Sequence, residues 1–537
     1  MRPLGLSIPV VLCVAVSGWG QGGRRGQNAA QQPPGNATAG RAGRGGAEAA
    51  PAAPSGNLEF YNFDPAAAAG QAFSDSQPAE SHQKITVNGQ TLAYTARAGF
   101  LPLHNATTGQ SEAHVFYTAY AKDGVSDTSS RPLIFFLGGA PGVSAAWQEF
   151  GGLGPKRAAE GALERWHDNP NTLLAQADLV FVNPVGTGYS RPDRPDRGPA
   201  FWNTAADVAS MAEFVRSFVV HYDRRSSPLF LAGEDFGTGR AAGLASYLGE
   251  HQVPVRGVVL LSMTLGGDAV AGETQYLTML PSYIMAAWHH KKLAPELNKM
   301  SSEEIAGQAR RFASREYLHA LYKGDRMTGE ERTKAIADLS RYTGLSKAFL
   351  VSNDLRVALE RFKSELLRDQ HHVLSNSDAR VAGYQPAPVF GGGRGAFALP
   401  PPAPIDFNIS NVSGGLSTAY EAYLRREITF SSGNGIFYLT NGGVGAYTST
   451  GNDDVSLAAA FARNPNLRLF VSVNYFDLNS PFYAAEYALA HMNVAPEVRS
   501  KNITVSHLEA GGMPYLDSKA LTKLHGDLAT FVEEGAR

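Results

Sequence analysis

The stretch that decides the fold is residues 229–237, LFLAGEDFG, because it joins a short apolar run to a tight, glycine-rich turn. Four apolar residues at its start favour a buried β-strand, and the spacing within residues 239–248 favours a helix after the turn. Gly233 and Gly237 flank the turn and permit a sharp change of direction and close packing. We therefore predict a strand, a tight turn and a helix, with Asp235 pushed out at the edge of a sheet over a helix N-terminus.

Short apolar runs like this one alternate with amphipathic segments along much of the chain. The predicted strands lie at residues 84–87, 91–95, 115–120, 132–136, 179–182, 229–232, 255–261, 467–473 and 503–508. The predicted helices lie at residues 205–220, 239–248, 481–492 and 518–534. Strands that alternate with helices indicate a parallel α/β sheet, and the Asn88-Gly89 dipeptide between the first two strands indicates a hairpin.

The segment between these two blocks of alternation has a different pattern. Charged helical stretches follow one another here without strand signals, at residues 301–321, 329–342 and 353–368. We predict an inserted, mainly helical cap at residues 269–404, which divides the α/β core into residues 57–268 and 405–537.

The N-terminus has a composition unlike the rest of the chain. Arg2 precedes an apolar run at residues 4–16, and small residues follow, a pattern typical of a secretory signal peptide that we assign to residues 1–20. Residues 21–56 consist mainly of Gly, Ala, Pro, Gln and Arg, which predicts a disordered linker. We expect an exported protein, periplasmic or extracellular, without a membrane span after cleavage; a retained N-terminal anchor is the alternative.

The composition excludes several classes of function. The formal net charge is −2 and charged residues make up 18% of the chain, so no basic field attracts nucleic acid, and we expect no nucleic-acid partner. Cys13, the single cysteine, lies in the predicted leader, which excludes a disulfide framework and a cysteine nucleophile in the mature chain. No spacing of His and Asp indicates a dedicated metal site, and we expect no cofactor.

Several longer motifs, met in the same order, resemble those of the serine carboxypeptidase family, in particular its bacterial branch. They are residues 132–157, which end in GGLGPKR, 178–190, DLVFVNPVGTGYS, 233–237, GEDFG, 280–293, 475–481, YFDLNSP, and 508–515, LEAGGMPY. The resemblance runs from about residue 84 to residue 534. It implies an α/β-hydrolase fold with a mainly parallel central sheet and an inserted helical cap, and acyl transfer by a Ser–Asp–His triad in that chain order.

The resemblance implies a role for particular positions of this sequence. Asp235 stands at the position of the nucleophilic serine, Asp477 at that of the triad acid and Gly512 at that of the general base. Of these three, only Asp477 has the family's residue type. The two backbone N–H groups of the family's oxyanion hole correspond to Ala140 and Phe236. Ala140 stands where the family has glycine, so a positive φ at this position would strain it.

Two further positions correspond to residues that bind the substrate's carboxylate in the family. Gly138 stands in place of an asparagine, whereas Glu234 matches. The triad replacements remove chemistry, because Gly512 has no side chain to take a proton and Asp235 has no hydroxyl. Loss of either member alone lowers turnover about a million-fold in a comparable triad enzyme. The sequence therefore favours a catalytically degenerate homologue that acts by binding a peptide or protein ligand in the cleft under the cap.

Two alternatives keep catalysis. One is an active serine-type carboxypeptidase with an unorthodox site. The other is a hydrolase of small electrophiles that uses Asp235 as its nucleophile and needs a histidine to activate water. The candidate histidines are His507, on a predicted strand, and His289 and His290, on a predicted cap helix. An imidazole within bonding distance of Asp235 would make the degenerate interpretation wrong.

The binding interpretation predicts three features of the site. The Asp235 carboxylate would fill its own oxyanion hole by accepting from the N–H of Phe236 or Ala140. The absent imidazole would leave a gap beside Asp477 that is large enough for water. Glu234, Asp235 and Asp477 would then form an acidic pocket for a cation or a basic ligand, unless each carboxylate is satisfied locally.

Overall fold

A computed structural model describes residues 77–87, 89–159, 162–264, 271–384, 406–433, 435–448 and 453–537. The predicted signal peptide and linker, and Asn88 of the predicted hairpin turn, lie outside these ranges. Most of the final stretch of the predicted cap lies outside them as well. In the described part of the chain, no helix has both the length and the apolar character that a bilayer span requires.

The described residues contain fourteen strands, and ten of them form one large sheet. The strands are β1 (Ala79–Val87), β2 (Gln90–His104), β3 (Ser111–Lys122), β4 (Leu133–Phe136), β5 (Lys156–Ala159), β6 (Ala162–Asp168), β7 (Asp178–Val182), β8 (Arg191–Pro192), β9 (Leu229–Glu234), β10 (Val255–Leu261), β11 (His372–Leu374), β12 (Ala382–Tyr384), β13 (Arg468–Asn474) and β14 (Ile503–Leu508).

The large sheet has an antiparallel side and a parallel side. Its order is β1-β2-β3-β7-β4-β9-β10-β13-β14, with β8 paired to β3. In the order of the sheet, β1, β2, β3 and β7 pair antiparallel with their neighbours. From β7 onward, through β4, β9, β10, β13 and β14, neighbouring strands are parallel. Two hairpins, β5–β6 and β11–β12, lie apart from this sheet. The carboxyl ends of the parallel strands therefore share one edge, which is where such sheets carry ligands.

Helices connect the parallel strands and form the segment between β10 and β13. They are α1 (Ala146–Gln148), α2 (Thr204–His221), α3 (Gly237–Glu250), α4 (Thr274–His289), α5 (Ser302–Phe312), α6 (Leu318–Lys323), α7 (Gly329–Thr343), α8 (Lys347–Ser352), α9 (Leu359–Leu366), α10 (Phe407–Arg426), α11 (Asp453–Arg463), α12 (Phe482–His491), α13 (Pro496–Asn502) and α14 (Ser518–Ala536).

The sheet is covered on both faces because its central strands are apolar on both sides. In β4, Leu133 and Phe135 pack into one hydrophobic core with residues of α2 and α3. Ile134 and Phe136 pack into a second core with residues of α10 and α14. Both faces of the strand are thus filled, which leaves the ends of the parallel strands as the place for functional side chains.

The predicted α/β fold is confirmed. Every predicted core strand and helix overlaps an observed one, and the predicted hairpin pairs Val87 with Gln90. The decisive stretch also folds as predicted, since β9 ends at Glu234 and α3 begins at Gly237. Only two residues connect them, which is the sharp turn that the two glycines indicated.

Predictions within the cap segment and directly after it were less accurate. The single helix predicted at residues 353–368 is wrong, because Asp354 and Leu355 have φ of +49° and +63° and separate α8 from α9. The short hairpin that β11 and β12 form after the last of these helical stretches was not predicted. Helix α10 was not predicted, although Tyr420 and Tyr423 on its inner face are fully buried.

Candidate functional site

Five of the seven site positions implied by the resemblance line one cavity of about 160 Å³. They are Ala140, Glu234, Asp235, Asp477 and Gly512. All five lie at or just after the carboxyl ends of β4, β9, β13 and β14. These strands belong to the parallel part of the sheet, so the chain segments that follow them meet above the same edge.

Two glycines make the turn between β9 and α3 possible. A Cβ on Gly233 would lie 2.0 Å from the carbonyl oxygen of Gly237, and a Cβ on Gly237 would lie 2.3 Å from that of Gly138. Neither position accepts a side chain without a shift of the backbone. The turn and the Gly-rich loop after β4 therefore pack backbone against backbone, with no room for a larger residue between them.

Asp235 holds the strained position of this turn. Its φ is +49°, in the left-handed region, where a residue with a side chain costs about 1 kcal/mol. Its N–H donates to the carbonyl of Leu261 over 2.9 Å. Its own carbonyl accepts from the hydroxyls of Thr238, at 2.6 Å, and Thr264, at 3.0 Å. These hydrogen bonds tie the turn to β10 and α3 and maintain the strained conformation.

The carboxyl group of Asp235 has few partners. The Ser480 hydroxyl donates to Oδ1 over 3.4 Å, and the backbone N–H of Phe236 also favours the charged form. Burial outweighs both and raises the pKa of Asp235 above its usual range. The N–H of Phe236 favours the charged form of Asp235, but among the described residues no hydrogen bond joins this N–H or that of Ala140 to the carboxyl group, so the expected filling of the oxyanion hole stays a prediction.

Asp477, at the position of the triad acid, is fully buried. Its Oδ1 accepts the backbone N–H groups of Asn479, at 2.9 Å, and Ser480, at 3.1 Å. Burial and the nearby charge of Asp235 together hold the pKa of Asp477 well above its usual range. Because Ser480 donates its N–H to Asp477 and its hydroxyl to Asp235, the two carboxyl groups belong to one hydrogen-bonded network.

Gly512, at the position of the general base, lies beside Asp477. A Cβ on Gly512 would be 3.2 Å from Oδ2 of Asp477. The side chain of a base at this position would therefore begin next to the carboxyl group at the triad-acid position. The N–H of Gly512 donates to the carbonyl of Ser377 over 2.6 Å, and its carbonyl accepts from the hydroxyl of Ser262. The position is thus held in place by its backbone alone and carries no group that could take a proton.

The histidines do not replace the missing base. All fourteen lie in the described ranges, and none lines the cavity or hydrogen-bonds to Asp235. His507 pairs through Nε2 with Glu486 over 2.7 Å. His290 donates its Nε2–H to the carbonyl oxygen of Ala379 over 2.8 Å, and the centre of the His289 ring lies 5.6 Å from that of Phe476. Each of the three candidate histidines is therefore engaged elsewhere.

The Gly-rich loop after β4 has a defined backbone. Gly138 has φ of +72°, the region that favours glycine and tolerates asparagine. A Cβ there would lie 3.0 Å from the carbonyl of Val143. Ala140 is not among the described residues with positive φ, so the strain expected from its replacement of glycine is absent.

Arg240, which sequence analysis did not identify, supports this loop. Its guanidinium donates to two carbonyl oxygens of the loop, over 2.7 and 3.2 Å, and to Oδ2 of Asp207 over 2.8 Å. The Tyr447 hydroxyl donates to the same carboxylate oxygen, and the Tyr447 ring packs edge-on against Phe236 with centroids 5.3 Å apart. A buried ion pair thus braces the loop and the residue after Asp235 together.

Glu234 lies buried below the turn. The hydroxyl of Tyr515 donates to its Oε2 over 2.9 Å, but Oε1 has no hydrogen-bond partner. Burial, with smaller contributions from Asp235 and Asp477, raises the pKa of Glu234 to about 8. Both amide atoms of the neighbouring Gln148, a fully buried residue, are also without a partner.

These carboxyl groups do not amount to a metal centre. Within the described ranges, no three His, Cys, Asp or Glu side chains converge so as to hold a metal ion. What the arrangement offers is a small cavity lined by carboxyl groups and other hydrogen-bond acceptors, with no imidazole among the described residues that line it.

The class of protein follows from the fold and the turn. A mainly parallel sheet with a two-residue strand-to-helix turn after β9, and an acidic residue after β13, defines an α/β-hydrolase fold. The model that represents the serine carboxypeptidase family matches residues 87–371, more than half of the chain. The chain belongs to the serine carboxypeptidase family.

Individual relatives are distant. The chain is 26% identical over 264 residues to serine carboxypeptidase-like 50 of Arabidopsis thaliana, which covers 48% of this chain and 54% of that protein. It is 25% identical over 180 residues to serine carboxypeptidase S10 family member 1 of Dictyostelium discoideum, which covers 33% of this chain and 41% of that one. The matched region thus spans about half the length of these relatives.

A solved structure supports the same fold. The Kex1 prohormone-processing carboxypeptidase of Saccharomyces cerevisiae superimposes with a TM-score of 0.54. The superposition covers 81% of this chain and 91% of that one at 13% sequence identity. At this identity the likeness establishes the fold and leaves the activity to be argued from the site.

Proposed function

We propose that this protein is an exported, non-hydrolysing member of the serine carboxypeptidase family that acts by binding a peptide or protein ligand in the cleft under its cap. The observation that carries the proposal is the environment of Gly512. Its backbone lies next to the buried Asp477, with 3.2 Å from a built Cβ to Oδ2, and no described imidazole reaches the cavity.

The physical argument concerns proton transfer. Attack by a hydroxyl on an amide requires a base that removes its proton, and the imidazole of the triad supplies that base. Here the elbow carries a carboxyl group instead of a hydroxyl, and the base position has no side chain. Oxyanion-hole and binding contributions alone leave only about 10³- to 10⁴-fold acceleration over water.

Binding is supported by what remains of the site. The cavity of about 160 Å³ is lined by both polar and apolar groups. Four hydrogen bonds hold the strained turn: the N–H of Asp235 donates to Leu261, and the Asp235 carbonyl accepts from the N–H and hydroxyl of Thr238 and from the hydroxyl of Thr264. Ser377, from the segment between β11 and β12, lines the cavity, so this segment covers part of the site. A ligand that enters would contact both the sheet edge and the segment above it.

The second candidate is an active serine-type carboxypeptidase with an unorthodox site. One observation favours it. Ser480 donates its hydroxyl to Asp235 and its N–H to Asp477, and both carboxyl groups have raised pKa values, so the pair can hold a proton between them. A hydrolase with Asp235 as nucleophile has less support, because His507 is bound to Glu486 and cannot activate water at the turn.

Peptidase assays separate these functions. The full chain is tested on a panel of blocked dipeptides beside Asp477→Ala and the triple variant Asp235→Ser, Gly512→His, Gly138→Asn, which restores the family's residue types at these three positions. We expect no hydrolysis by the unaltered chain and measurable hydrolysis by the triple variant. Hydrolysis by the unaltered chain that disappears in Asp477→Ala would overturn the proposal.

Export is tested separately. Cells that express the full-length chain are fractionated, and the N-terminus of the mature protein is sequenced. We expect the protein outside the cytoplasm, with a new N-terminus near residue 20. An intact N-terminus in the cytoplasmic fraction contradicts this part of the proposal without affecting the binding function.

A further inference from the structure

We infer that the cavity beside Asp235 binds the protonated amine of its ligand and rejects a carboxylate. This inference rests on the proposed function, because it names the ligand chemistry of the same cleft. It is carried by three observations: the sign of the ionisable groups that line the cavity, the buried polar atoms left without partners, and the nature of the walls.

The ionisable groups all have the same sign. Of the described residues that line the cavity, those that can lose or gain a proton are Glu234, Asp235, Asp477 and Tyr515, and no Lys, Arg or His is among them. Arg380 follows the cavity-lining Ser377 by three positions, but its guanidinium is held by Asp378 over 2.7 Å and by Asp517 over 3.0 Å. Burial favours the neutral forms of the three carboxyl groups because no counter-charge faces them, and a cation that enters supplies one and favours their ionised forms.

Buried polar atoms in this region are unsatisfied. Oε1 of Glu234 and both amide atoms of Gln148 have no hydrogen-bond partner, although both side chains are at least nine-tenths buried. Buried groups of this kind normally have a partner, because each orphan costs about 1–3 kcal/mol. An ammonium group has three donors and no acceptor, which suits Glu234 Oε1 and the Oδ atoms of Asp235.

The walls fit an organic ammonium better than a metal ion. Trp147, Val143, Ile409 and Met513 contribute apolar surface, and no three acidic, His or Cys side chains within the described ranges converge to hold a metal. A cavity of about 160 Å³ accommodates an ammonium head with a short alkyl chain. An aromatic wall such as Trp147 adds attraction for a cation.

A carboxylate meets the opposite conditions. Asp235 adds negative charge where the family has a neutral hydroxyl, and Gly138 offers no side-chain amide. The N–H of Ala140 has no partner among the described residues, but this single backbone donor faces three carboxyl groups. Any of these groups that is ionised repels a carboxylate in a desolvated cavity, so an ammonium is preferred over the terminal carboxylate of a peptide.

Isothermal titration calorimetry on the full chain tests this with three probes of the same shape: butylammonium, 1-butanol and butyrate. We expect saturable binding of butylammonium at an affinity at least about tenfold above that of 1-butanol, and no binding of butyrate. Asp235→Asn and Glu234→Gln should each weaken butylammonium at least about tenfold. Glu497→Gln, which removes one exposed carboxylate outside the cavity, is the matched control and should bind like the unaltered chain.

Equal affinity for butylammonium and 1-butanol, or preferential binding of butyrate, overturns the inference. So does calcium binding that disappears in the same two variants, because the site would then be a metal site. Thermal unfolding of each variant shows whether it is folded, and if either one is not, the probe ranking on the unaltered chain decides. Hydrolysis of blocked dipeptides, measured separately, overturns the proposed function whatever the calorimetry gives.

Discussion

The turn at Asp235 and the loop at Gly512 carry two of the three triad positions, and they differ in what fixes them. At the turn, Gly233 and Gly237 have no space for even one extra carbon, and Asp235 keeps a left-handed backbone. At the loop, the three atoms nearest to a Cβ built on Gly512 all belong to the Asp477 carboxyl group, at 3.2–3.4 Å. The comparison indicates that close backbone packing fixes the turn, whereas the nearest atoms at Gly512 belong to a side chain and constrain the position less tightly.

The largest effect is expected at the turn. Gly233→Ala places a Cβ 2.0 Å from the Gly237 carbonyl, so the backbone has to move, and we expect a loss of about 4 kcal/mol in the free energy of unfolding. Gly414→Ala, within α10 where nothing lies within 4 Å of a built Cβ, is the control and should be neutral or stabilising. Chemical denaturation compares the two. Equal stability of both variants would show that the turn is not fixed by packing.

The two regions should also differ in pH dependence, because the turn carries carboxyl groups and the Gly512 loop contributes none. The pKa of Glu234 rises from 4.5 in the unfolded chain to about 8, through burial and the charges of Asp235 and Asp477, against donation from Tyr515. The protonated folded form is thus favoured: its stabilisation is complete below pH 4.5 and is lost as the pH rises towards 8.

We therefore expect the chain to lose about 2 kcal/mol more stability between pH 5 and pH 8 than Glu234→Gln does. Unfolding midpoints of both proteins across this range provide the measurement. Parallel profiles would mean that Glu234 titrates normally and that the turn is no more sensitive to pH than the loop.

A smaller effect is expected at Asp477, which lies between the two regions. Asp477→Ala leaves the N–H groups of Asn479 and Ser480 buried without an acceptor, which we expect to cost about 1.5 kcal/mol. Asp477→Asn keeps an acceptor oxygen and should cost less than about 0.5 kcal/mol, since burial already favours the neutral form of the acid. Urea denaturation distinguishes them; if Asn is as costly as Ala, the carboxyl group matters through its charge.

The smallest effect is expected for Gly512→Ala. Its Cβ would be a few tenths of an ångström too close to the Asp477 carboxyl group, which can shift, and Gly512 is not in the left-handed region. We expect a change within about 0.5 kcal/mol. A loss as large as that of Gly233→Ala would remove the distinction between the two regions.

The sequence was sufficient for the core and for the strand, turn and helix around Asp235, because both depend on local patterns. Apolar runs marked the parallel strands, and the glycines around Asp235 marked the turn. The partners that complete the site were missed, since they come from remote parts of the chain: Ser480 reaches Asp235 across 245 positions and Tyr515 reaches Glu234 across 281. No local pattern reports such contacts.

The missed helix α10 did have a local signal in the sequence, whereas the wrongly predicted helix at residues 353–368 did not. In α10 the apolar residues Leu416, Tyr420, Tyr423 and Leu424 recur at helical spacing and are buried. In the segment predicted as one helix at residues 353–368, Asp354 and Leu355 adopt a left-handed backbone conformation that their residue types do not predict. Tertiary packing determines where α8 ends and α9 begins, and the spacing of apolar residues does not predict it.

The buried pair of Arg240 and Asp207 has a consequence for how this scaffold could change over time. It clamps the Gly-rich loop through backbone carbonyls and, by way of Tyr447, steadies the residue that follows Asp235. None of these contacts involves the side chains that differ from the family. Substitutions at Asp235 or Gly512 should therefore leave this ion pair and the loop that it holds in place.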